Sequence, residues 1–173
     1  MLDLNTVKTL HDEDALQKRI LELAKQIDKD YEDKVVTIIS ILKGAIFFTV
    51  DLAKKMKTPV ELDFMQVSSY EGTESTGKLI VKKDISLDIE GKDVLIVEDI
   101  IDTGYTLSYL CDYLAKKNPN SIKLAVLADK KERRKVDVKV DYTGFVIPNK
   151  FVVGYGMDYD EIGRNIPFIG YIE

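Results

Sequence analysis

The sequence has almost none of the residues that build disulfide frameworks or zinc sites. It contains one cysteine and one histidine among 173 residues, which excludes an internal disulfide and a Cys/His metal cluster. Cys111 stands among leucines at helical spacing in LSYLCDYLAKK, a pattern that indicates a packed, reduced thiol. Long apolar runs are missing too, and residues 1–10 lack the basic and apolar segments of a signal peptide. We therefore expect a cytoplasmic protein without a membrane partner.

An excess of positive charge is also absent. The formal net charge is −5, and this balance argues against a broad basic surface for nucleic acid. One basic run, KKERRK at Lys130–Lys135, is typical of a solvated face. The chain does have 45% hydrophobic and 32% charged residues, which suits one well-cored domain over residues 1–173 and leaves too little length for two.

Helical and extended patterns alternate along the chain. Apolar residues recur at helical intervals between His11 and Glu32, with Asp12 or Asp14 available as the helix cap. The run Val35–Leu42, which is rich in β-branched residues, is typical of a parallel strand covered on both faces. The other predicted elements are helices at 45–56 and 106–117, and strands at 60–70, 79–85, 94–97 and 121–129. This order predicts an α/β fold, a parallel sheet flanked by helices, with ligands at the carboxyl ends of its strands.

One segment matches a phosphate-binding motif only in part. GTESTGKL, at residues 72–79, follows the P-loop pattern until Leu79 replaces the Ser or Thr that binds the metal ion. The residues after Lys78 favour a strand, whereas a P-loop opens a helix. We interpret Glu71–Lys78 as a hairpin tip or an active-site loop.

The stretch VLIVEDIIDTGYTL, at residues 94–107, places three carboxylates where a strand ends and a helix begins: Glu98, Asp99 and Asp102. Backbone N–H groups at the helix start and the hydroxyls of Thr103 and Thr106 suit a phosphate, which Gly104 allows to approach closely. The carboxylates suit a diol and a divalent cation. A phosphorylated sugar with magnesium satisfies both groups. Capping of the strand and of the next helix is the alternative for each residue taken singly.

This stretch resembles the 5-phosphoribosyl pyrophosphate (PRPP) signature of type I phosphoribosyltransferases. Most of the chain is similar to the hypoxanthine-guanine phosphoribosyltransferases of that family. The resemblance implies a parallel sheet with a small hood formed by the N- and C-terminal segments. It also implies transfer of ribose 5-phosphate from PRPP to a 6-oxopurine, with release of pyrophosphate.

The resemblance assigns roles to residues in several separate segments. PRPP would bind at Glu98, Asp99, Asp102, Thr103, Gly104, Tyr105 and Thr106, and Asp102 would also be catalytic at purine N7. Pyrophosphate would bind at Arg164 and at the LKG loop, which consists of Leu42, Lys43 and Gly44. In this family the loop usually contains a strained peptide bond. The purine would contact Lys130 through O6, stack on Phe151, and border Val152 and Asp158. Ser69 and Tyr70 would close over the reaction, and magnesium would bind at Glu98, Asp99 and Asp158.

Several of these residues have an ordinary structural alternative. Lys43 fits a surface lysine, Phe151 a core aromatic and Arg164 a solvated charge. Tyr105 differs from the family pattern, because some members carry a lysine in this loop. The absence of that lysine puts the affinity for phosphate in question. His11 lies outside every matched segment, and we assign it no catalytic role.

The expected function is purine salvage, with Mg²⁺ as the cofactor. PRPP and hypoxanthine or guanine would be the substrates, and IMP or GMP would form together with pyrophosphate. Similar proteins are homo-oligomers, so a homodimer or homotetramer is expected. The alternative is a PRPP-sensing, nucleic-acid-binding regulator that kept the same fold, although it would need a basic surface or an added domain.

Overall fold

Strands and helices alternate along the chain as the sequence predicts. The computed structural model describes residues 6–69 and 79–172. The strands are β1 Lys8–His11, β2 Val36–Leu42, β3 Val60–Ser69, β4 Leu79–Lys83, β5 Asp93–Ile101, β6 Ser121–Asp129, β7 Tyr142–Val146, β8 Phe151–Val153 and β9 Ile169–Ile172. The helices are α1 Glu13–Asp30, α2 Ile46–Lys55 and α3 Tyr105–Ala115, with a short 3-10 helix at Lys131–Arg133. The predicted loop Glu71–Lys78 lies outside the described residues.

Six strands form the main sheet, in the order β4-β3-β2-β5-β6-β7. Neighbouring strands from β3 to β7 are parallel, and β4 returns antiparallel along β3. The predicted α/β fold with a mostly parallel sheet is therefore confirmed. Because parallel strands end at the same edge, the segments that follow β2, β5 and β6 all lie at that edge.

Both ends of the chain contribute to a second, three-stranded sheet in the order β1-β9-β8. Its strands are antiparallel, with Lys8 opposite Tyr171 and Phe151 opposite Ile172. This sheet is the hood that the resemblance implied. Since β8 carries Phe151 and Val152, the hood presents the predicted purine contacts on a paired strand.

Apolar side chains cover both faces of the main sheet. On β2, Ile38 and Ile39 are fully buried and belong to two separate apolar clusters. The cluster around Ile38 includes the apolar face of α1, and the cluster around Ile39 includes that of α3. Burial on both faces explains why apolar residues in β2 occupy consecutive positions instead of alternating with exposed polar ones. None of the described helices is long and apolar enough to cross a membrane.

The end of β5 differs from the prediction. The strand was expected at 94–97, but it extends over Asp93–Ile101, so Glu98 and Asp99 lie within it and not after it. Pairing with β6 continues as far as Ile101 opposite Asp129. These ladder bonds hold the acidic residues in extended backbone.

The basic run Lys130–Lys135 is not the uniformly solvated face that its composition suggests. Lys130 is only 7% exposed. Arg134 is half-buried, and its Nη2 lies 2.6 Å from Oδ1 of buried Asp129. The run directly follows the buried strand β6, whose last residue is this carboxylate, and a buried charge requires a partner.

Candidate functional site

A cavity of about 220 Å³ lies where the carboxyl edge of the main sheet meets the hood. Its walls include the predicted catalytic residue and the four predicted purine contacts: Asp102, Lys130, Phe151, Val152 and Asp158. These residues come from the segments after β5 and β6, from β8 and from the loop after it. The fold therefore brings together residues that are far apart in the sequence, around a space suited to a small ligand.

Lys130 contributes a cation to this cavity. Its backbone N–H donates to Ile101 O at 3.0 Å, which fixes the residue at the end of β6 beside the end of β5. Burial is the main cause that lowers the pKa of Lys130; the Asp102 carboxylate opposes this shift, and Arg133 adds to it. Such a group is suited to donate hydrogen bonds to an acceptor on a ligand.

Phe151 does not lie in the hydrophobic core, which was the structural alternative for this residue. The residue is 52% exposed although β8 is a paired strand. Its ring meets Tyr159 edge to face, with centroids 5.5 Å apart. A ring held at its edge with an accessible face on the cavity wall suits stacking of a flat ligand.

Asp102 is the predicted catalytic residue, and one of its oxygens has no hydrogen bond. Arg134 Nε donates to the backbone oxygen of Asp102 at 3.3 Å. Arg133 Nε lies 2.9 Å from Oδ1, close enough for an ion pair. This buried oxygen nevertheless accepts no hydrogen bond from the described residues. The Asp102 carboxylate lines the cavity, and an ionised carboxylate is suited to accept a proton or a hydrogen bond from a ligand.

The loop after Asp102 leads into α3 through Gly104. Gly104 has φ +91°, and a Cβ at this position would lie 2.9 Å from the Val136 carbonyl oxygen. Only glycine fits such a left-handed turn without strain. The loop is held by Lys135 and Val136, whose N–H groups donate to Thr103 O at 2.9 and 3.0 Å.

A second cavity, of about 270 Å³, lies over this loop and the start of α3. Its lining includes most of the predicted phosphate-binding residues: Glu98, Asp99, Asp102, Thr103, Gly104 and Thr106. The N-cap Gly104 has no side chain with which to cap the helix. The first N–H groups of α3 are therefore open to an anion. Tyr105 is 51% exposed at the first position of the helix.

Glu98 and Asp99 form a pair of carboxylates near the end of β5, in which Glu98 is buried and Asp99 is partly buried. Glu98 is 8% exposed, and its Oε1 accepts a hydrogen bond from the Asp99 N–H at 3.1 Å. Burial, and then the neighbouring Asp99 charge, raise the pKa of Glu98 well above its ordinary range. Burial also raises the pKa of Asp99, although Arg164 is among the groups that oppose this shift. Two adjacent carboxylates with raised pKa values are suited to a cation that would neutralise them.

The described structure does not gather Asp158 into one cluster with this pair. Within residues 6–69 and 79–172, no group of three or more potential ligand side chains is close enough to hold a metal ion. The Asp158 carboxylate has other partners, since Oδ1 lies 2.8 Å from Arg164 Nη2 and Oδ2 accepts from the Glu161 N–H at 2.8 Å. A magnesium ion at Glu98 and Asp99 would therefore take its other ligands from substrate and water, as this ion commonly does.

The predicted pyrophosphate loop packs closely against Asp99 and the hood segment. The Leu42–Lys43 peptide bond is cis. A Cβ on Gly44 would lie 1.5 Å from Asp99 Oδ2, and a Cβ on Gly156 would lie 1.9 Å from Gly44 O. Glycine at position 44 lets the Asp99 carboxylate approach the loop, and glycine at position 156 lets the backbones of Gly44 and Gly156 meet.

Lys43 and Arg164 lie together through a residue that the sequence reasoning missed. The Lys43 Nζ and Arg164 Nη2 atoms lie 2.9 and 3.1 Å from Oε2 of Glu161. Arg164 also donates from Nη1 to Gly156 O at 2.8 Å, and its side chain is 22% exposed, so it is not a freely solvated charge. One signal could have indicated Glu161, namely an acid in the same short loop as an arginine predicted to bind an anion.

Two predicted residues fall at the edge of the described chain. Ser69 ends β3, where its backbone pairs with Leu79 of β4. Tyr70 and the side chain of Ser69 lie outside the described residues. Leu79 begins a strand, which agrees with the argument against a P-loop at residues 72–79.

Comparisons with known proteins agree with this fold and site. A family model described as the phosphoribosyl transferase domain matches residues 6–160. A hypoxanthine-guanine phosphoribosyltransferase from Aquifex aeolicus is 46% identical over 169 residues, which cover 96% of this chain and 95% of that protein. The crystal structure of a hypoxanthine-guanine phosphoribosyltransferase from Bacillus anthracis has a TM-score of 0.93 and 46% identity, covering 96% of this chain and 98% of that one.

A bifunctional protein TilS/HprT from Listeria monocytogenes is 48% identical over 167 residues, which cover 96% of this chain. The chain spans only 26% of that longer protein. The matches to the family model and to the hypoxanthine-guanine enzymes nevertheless cover most of this chain. The chain therefore belongs to the phosphoribosyltransferase family, and the resemblance to its hypoxanthine-guanine members is confirmed.

Proposed function

We propose that this protein is a magnesium-dependent 6-oxopurine phosphoribosyltransferase of purine salvage. It transfers the 5-phosphoribosyl group of PRPP to hypoxanthine or guanine, and the products are IMP or GMP and pyrophosphate. The observation that carries the proposal is one cavity that joins the carboxylate of Asp102, the buried cation Lys130 and the half-exposed ring of Phe151. A second cavity at the start of α3 adjoins it, since Asp99 and Asp102 line both.

The 5′-phosphate of PRPP binds at the start of α3. The N–H groups that follow Gly104 donate to its oxygens, and the Thr103 and Thr106 hydroxyls add to this binding. Tyr105 supplies no positive charge at this position, so the backbone carries the larger share of phosphate recognition. The ribose hydroxyls donate to the carboxylates of Glu98 and Asp99.

Magnesium fits the carboxylates that the fold leaves without a cation. Glu98 and Asp99 would hold it, together with substrate oxygens and water, because the two carboxylates are too few to complete its coordination. When bound, the ion supplies positive charge that neutralises the pyrophosphate leaving group. This role agrees with the raised pKa of Glu98, which burial and the Asp99 charge produce in the absence of a cation.

Side chains of the protein stabilise both the leaving pyrophosphate and the incoming purine. Departure of pyrophosphate leaves positive charge on the ribose ring, and Lys43 and Arg164 hold the departing anion. Asp102 accepts or shares the proton at purine N7 as the N9–ribose bond forms. Phe151 stacks on the base and Lys130 donates to its O6, while backbone carbonyls near Val152 and Asp158 accept from its N1 edge.

The regulator alternative is not favoured by these observations. The chain is acidic overall, and its matches over nearly all residues are to proteins named as phosphoribosyltransferases. Within the basic run, Arg133 and Arg134 already pair with Asp102 and Asp129. A nucleic-acid surface would need free, clustered positive charge.

The experiment is a nucleotide-formation assay with PRPP and Mg²⁺. The protein is incubated separately with hypoxanthine, guanine, xanthine, adenine and uracil, and products are separated by chromatography. IMP and GMP should form, with no AMP or UMP and no product without Mg²⁺. Failure to form nucleotide from any base, together with retention of RNA on the protein, would overturn the proposal in favour of the regulator.

A homodimer or homotetramer in the cytoplasm completes the proposal. Its support is an exposed apolar group on α2, where Ile46, Phe47 and Val50 are 38, 42 and 43% exposed. Exposed apolar residues grouped on one helix are typical of association surfaces. Sedimentation equilibrium would measure the mass, and a monomer at micromolar concentration would contradict this part.

A further inference from the structure

Glu161 lies in a tight turn between the purine cavity and Arg164. Tyr159 and Ile162 bridge across this turn, with mutual backbone hydrogen bonds of 2.9 and 3.0 Å. The two residues between them, Asp160 and Glu161, have φ values of +50° and +65°. The turn geometry thus sets the direction in which Glu161 leaves the backbone.

One carboxylate oxygen of Glu161 contacts both cations of the proposed pyrophosphate site. Oε2 lies 2.9 Å from Lys43 Nζ, which belongs to the loop after β2, and 3.1 Å from Arg164 Nη2. The hydrogen bond from Lys43, and then that from Arg164, lower the pKa of Glu161. The residue is therefore an anion at neutral pH, and it occupies cations that a diphosphate would need.

The contacts of Glu161 with the two cations are exposed enough to be exchanged for those of a ligand. The side chains of Glu161 and Lys43 are 65% and 53% exposed, so water screens their attraction. A diphosphate carries more negative charge and more acceptor oxygens than one carboxylate. It can displace Glu161 from both cations, but its binding is weakened by the contacts that must first be broken.

We propose that Glu161 is an internal counter-ion of the pyrophosphate subsite. In the free protein it pairs with both Lys43 and Arg164, and a bound diphosphate displaces it. Competition from this carboxylate lowers the affinity of the subsite and favours release of the leaving group. The inference rests on the proposed function, because it takes Lys43 and Arg164 as the residues that bind pyrophosphate.

The test compares Glu161→Gln with Asp160→Asn. Both substitutions remove one negative charge from the same turn, and both keep the size of the side chain. Asp160 is exposed and forms no ion pair with another described residue, so it controls for the change in overall charge. Binding of magnesium pyrophosphate to the whole protein is measured by isothermal titration calorimetry, which needs no turnover.

The dissociation constant for magnesium pyrophosphate should fall about 3- to 10-fold in Glu161→Gln, because two partly screened attractions to the carboxylate are lost. It should stay within about 2-fold of the parent value in Asp160→Asn, whose charge is solvated. Product inhibition by pyrophosphate in the forward assay should tighten by the same factor in Glu161→Gln.

Equal affinities in the parent and in Glu161→Gln would overturn the inference alone. Weaker binding in Glu161→Gln would also overturn it, since Glu161 would then assist the diphosphate. An equal gain in both variants would overturn it as well and assign the effect to overall charge. A parent that binds neither magnesium pyrophosphate nor PRPP would overturn the proposed function, and the inference would fall with it.

Discussion

The two ends of strand β5 both carry acidic residues, but the surroundings of these residues are opposite. At the amino end, Asp93 accepts hydrogen bonds from Ser121 and from Asn120 at 2.7 Å, and Lys34 Nζ lies 3.4 Å away. At the carboxyl end, Glu98 is buried and the neighbouring Asp99 is partly buried, and neither forms an ion pair with the described residues at the distances that define one. The fold supplies hydrogen-bond and ion-pair partners for the carboxylate at the amino end, but it supplies no ion-pair partner for the two carboxylates at the carboxyl end.

The pKa values of Asp93 and Glu98 shift in opposite directions because their surroundings differ. The hydrogen bond from Ser121 is the largest cause that lowers the pKa of Asp93. Burial raises the pKa of Glu98, and the Asp99 charge adds to this shift. A matched carboxylate stabilises the folded chain, whereas an unmatched pair costs free energy that a ligand can offset. The comparison thus separates residues of the scaffold from residues of the site.

The largest expected effect comes from Asp102, which belongs to the carboxyl end. Asp102→Asn keeps the shape but removes the basicity that takes up the N7 proton, so kcat should fall by about 10²–10⁴ with little change in PRPP binding. Asp93→Asn is the matched control, because it makes the same change at the amino end of β5 and should leave kcat near the parent value. Steady-state kinetics with hypoxanthine measure both. Near-normal turnover in Asp102→Asn would reassign this residue to a structural role.

The second prediction concerns Lys130 and the choice of base. The parent should prefer hypoxanthine and guanine over adenine by about 10⁴ in kcat/KM, because an ammonium group cannot accept from adenine's 6-amino group. Lys130→Met keeps the aliphatic stem and removes the donor, so the preference should narrow mainly through loss of activity on the 6-oxopurines. Lys131→Met is the control, since Lys131 is exposed outside the cavity. An unchanged ratio in Lys130→Met would mean that O6 is bound elsewhere.

The third prediction is that substitutions at the two ends of β5 change the free energy of unfolding in opposite directions. Asp93→Asn should lower the free energy of unfolding by about 1–2 kcal/mol, because it weakens hydrogen bonds to a charged acceptor. Glu98→Gln should raise it by up to about 1 kcal/mol when divalent ions are absent, because a buried, mutually repelling charge is removed. Urea unfolding at pH 7 with a chelator gives both values. A loss of similar size in both variants would remove the distinction between scaffold and site.

The smallest expected effect is a pH dependence at the amino end. Because folding lowers the pKa of Asp93 below its ordinary value of 3.8, its contribution to stability is present above about pH 4. This contribution is lost as the pH falls through the pKa of the folded state. Between pH 5 and 3, the free energy of unfolding should therefore decline less steeply in Asp93→Asn than in the parent. Parallel slopes in urea titrations across this range would contradict the assigned partners.

Much of the fold was predictable because its signals are local. The run at β2, which is rich in β-branched residues, indicated a strand covered on both faces, and Ile38 and Ile39 do face two separate clusters. Glu98, Asp102 and Gly104 lie within a few positions of each other, so their chemistry could be inferred as one motif. Lys130 and Phe151 followed from the resemblance to the family and not from any local pattern.

The end of β5 was predicted less well, for a reason that lies outside the strand. A run of acidic residues normally indicates that a buried strand has ended. Here the ladder with β6 continues to Ile101, and it keeps both residues extended, with Glu98 buried and Asp99 partly buried. Pairing with a neighbouring strand outweighed the local preference of the residues.

The sequence by itself determined the alternation of strands and helices and the place of the phosphate loop, because periodicity and glycine act over a few residues. The tertiary structure decided which charges meet. Lys43 and Glu161 are 118 positions apart, yet they form an ion pair, and Asp102 meets Arg133 after another strand has intervened. Whether a carboxylate is matched depends on burial and on distant partners, and chain order alone specifies neither.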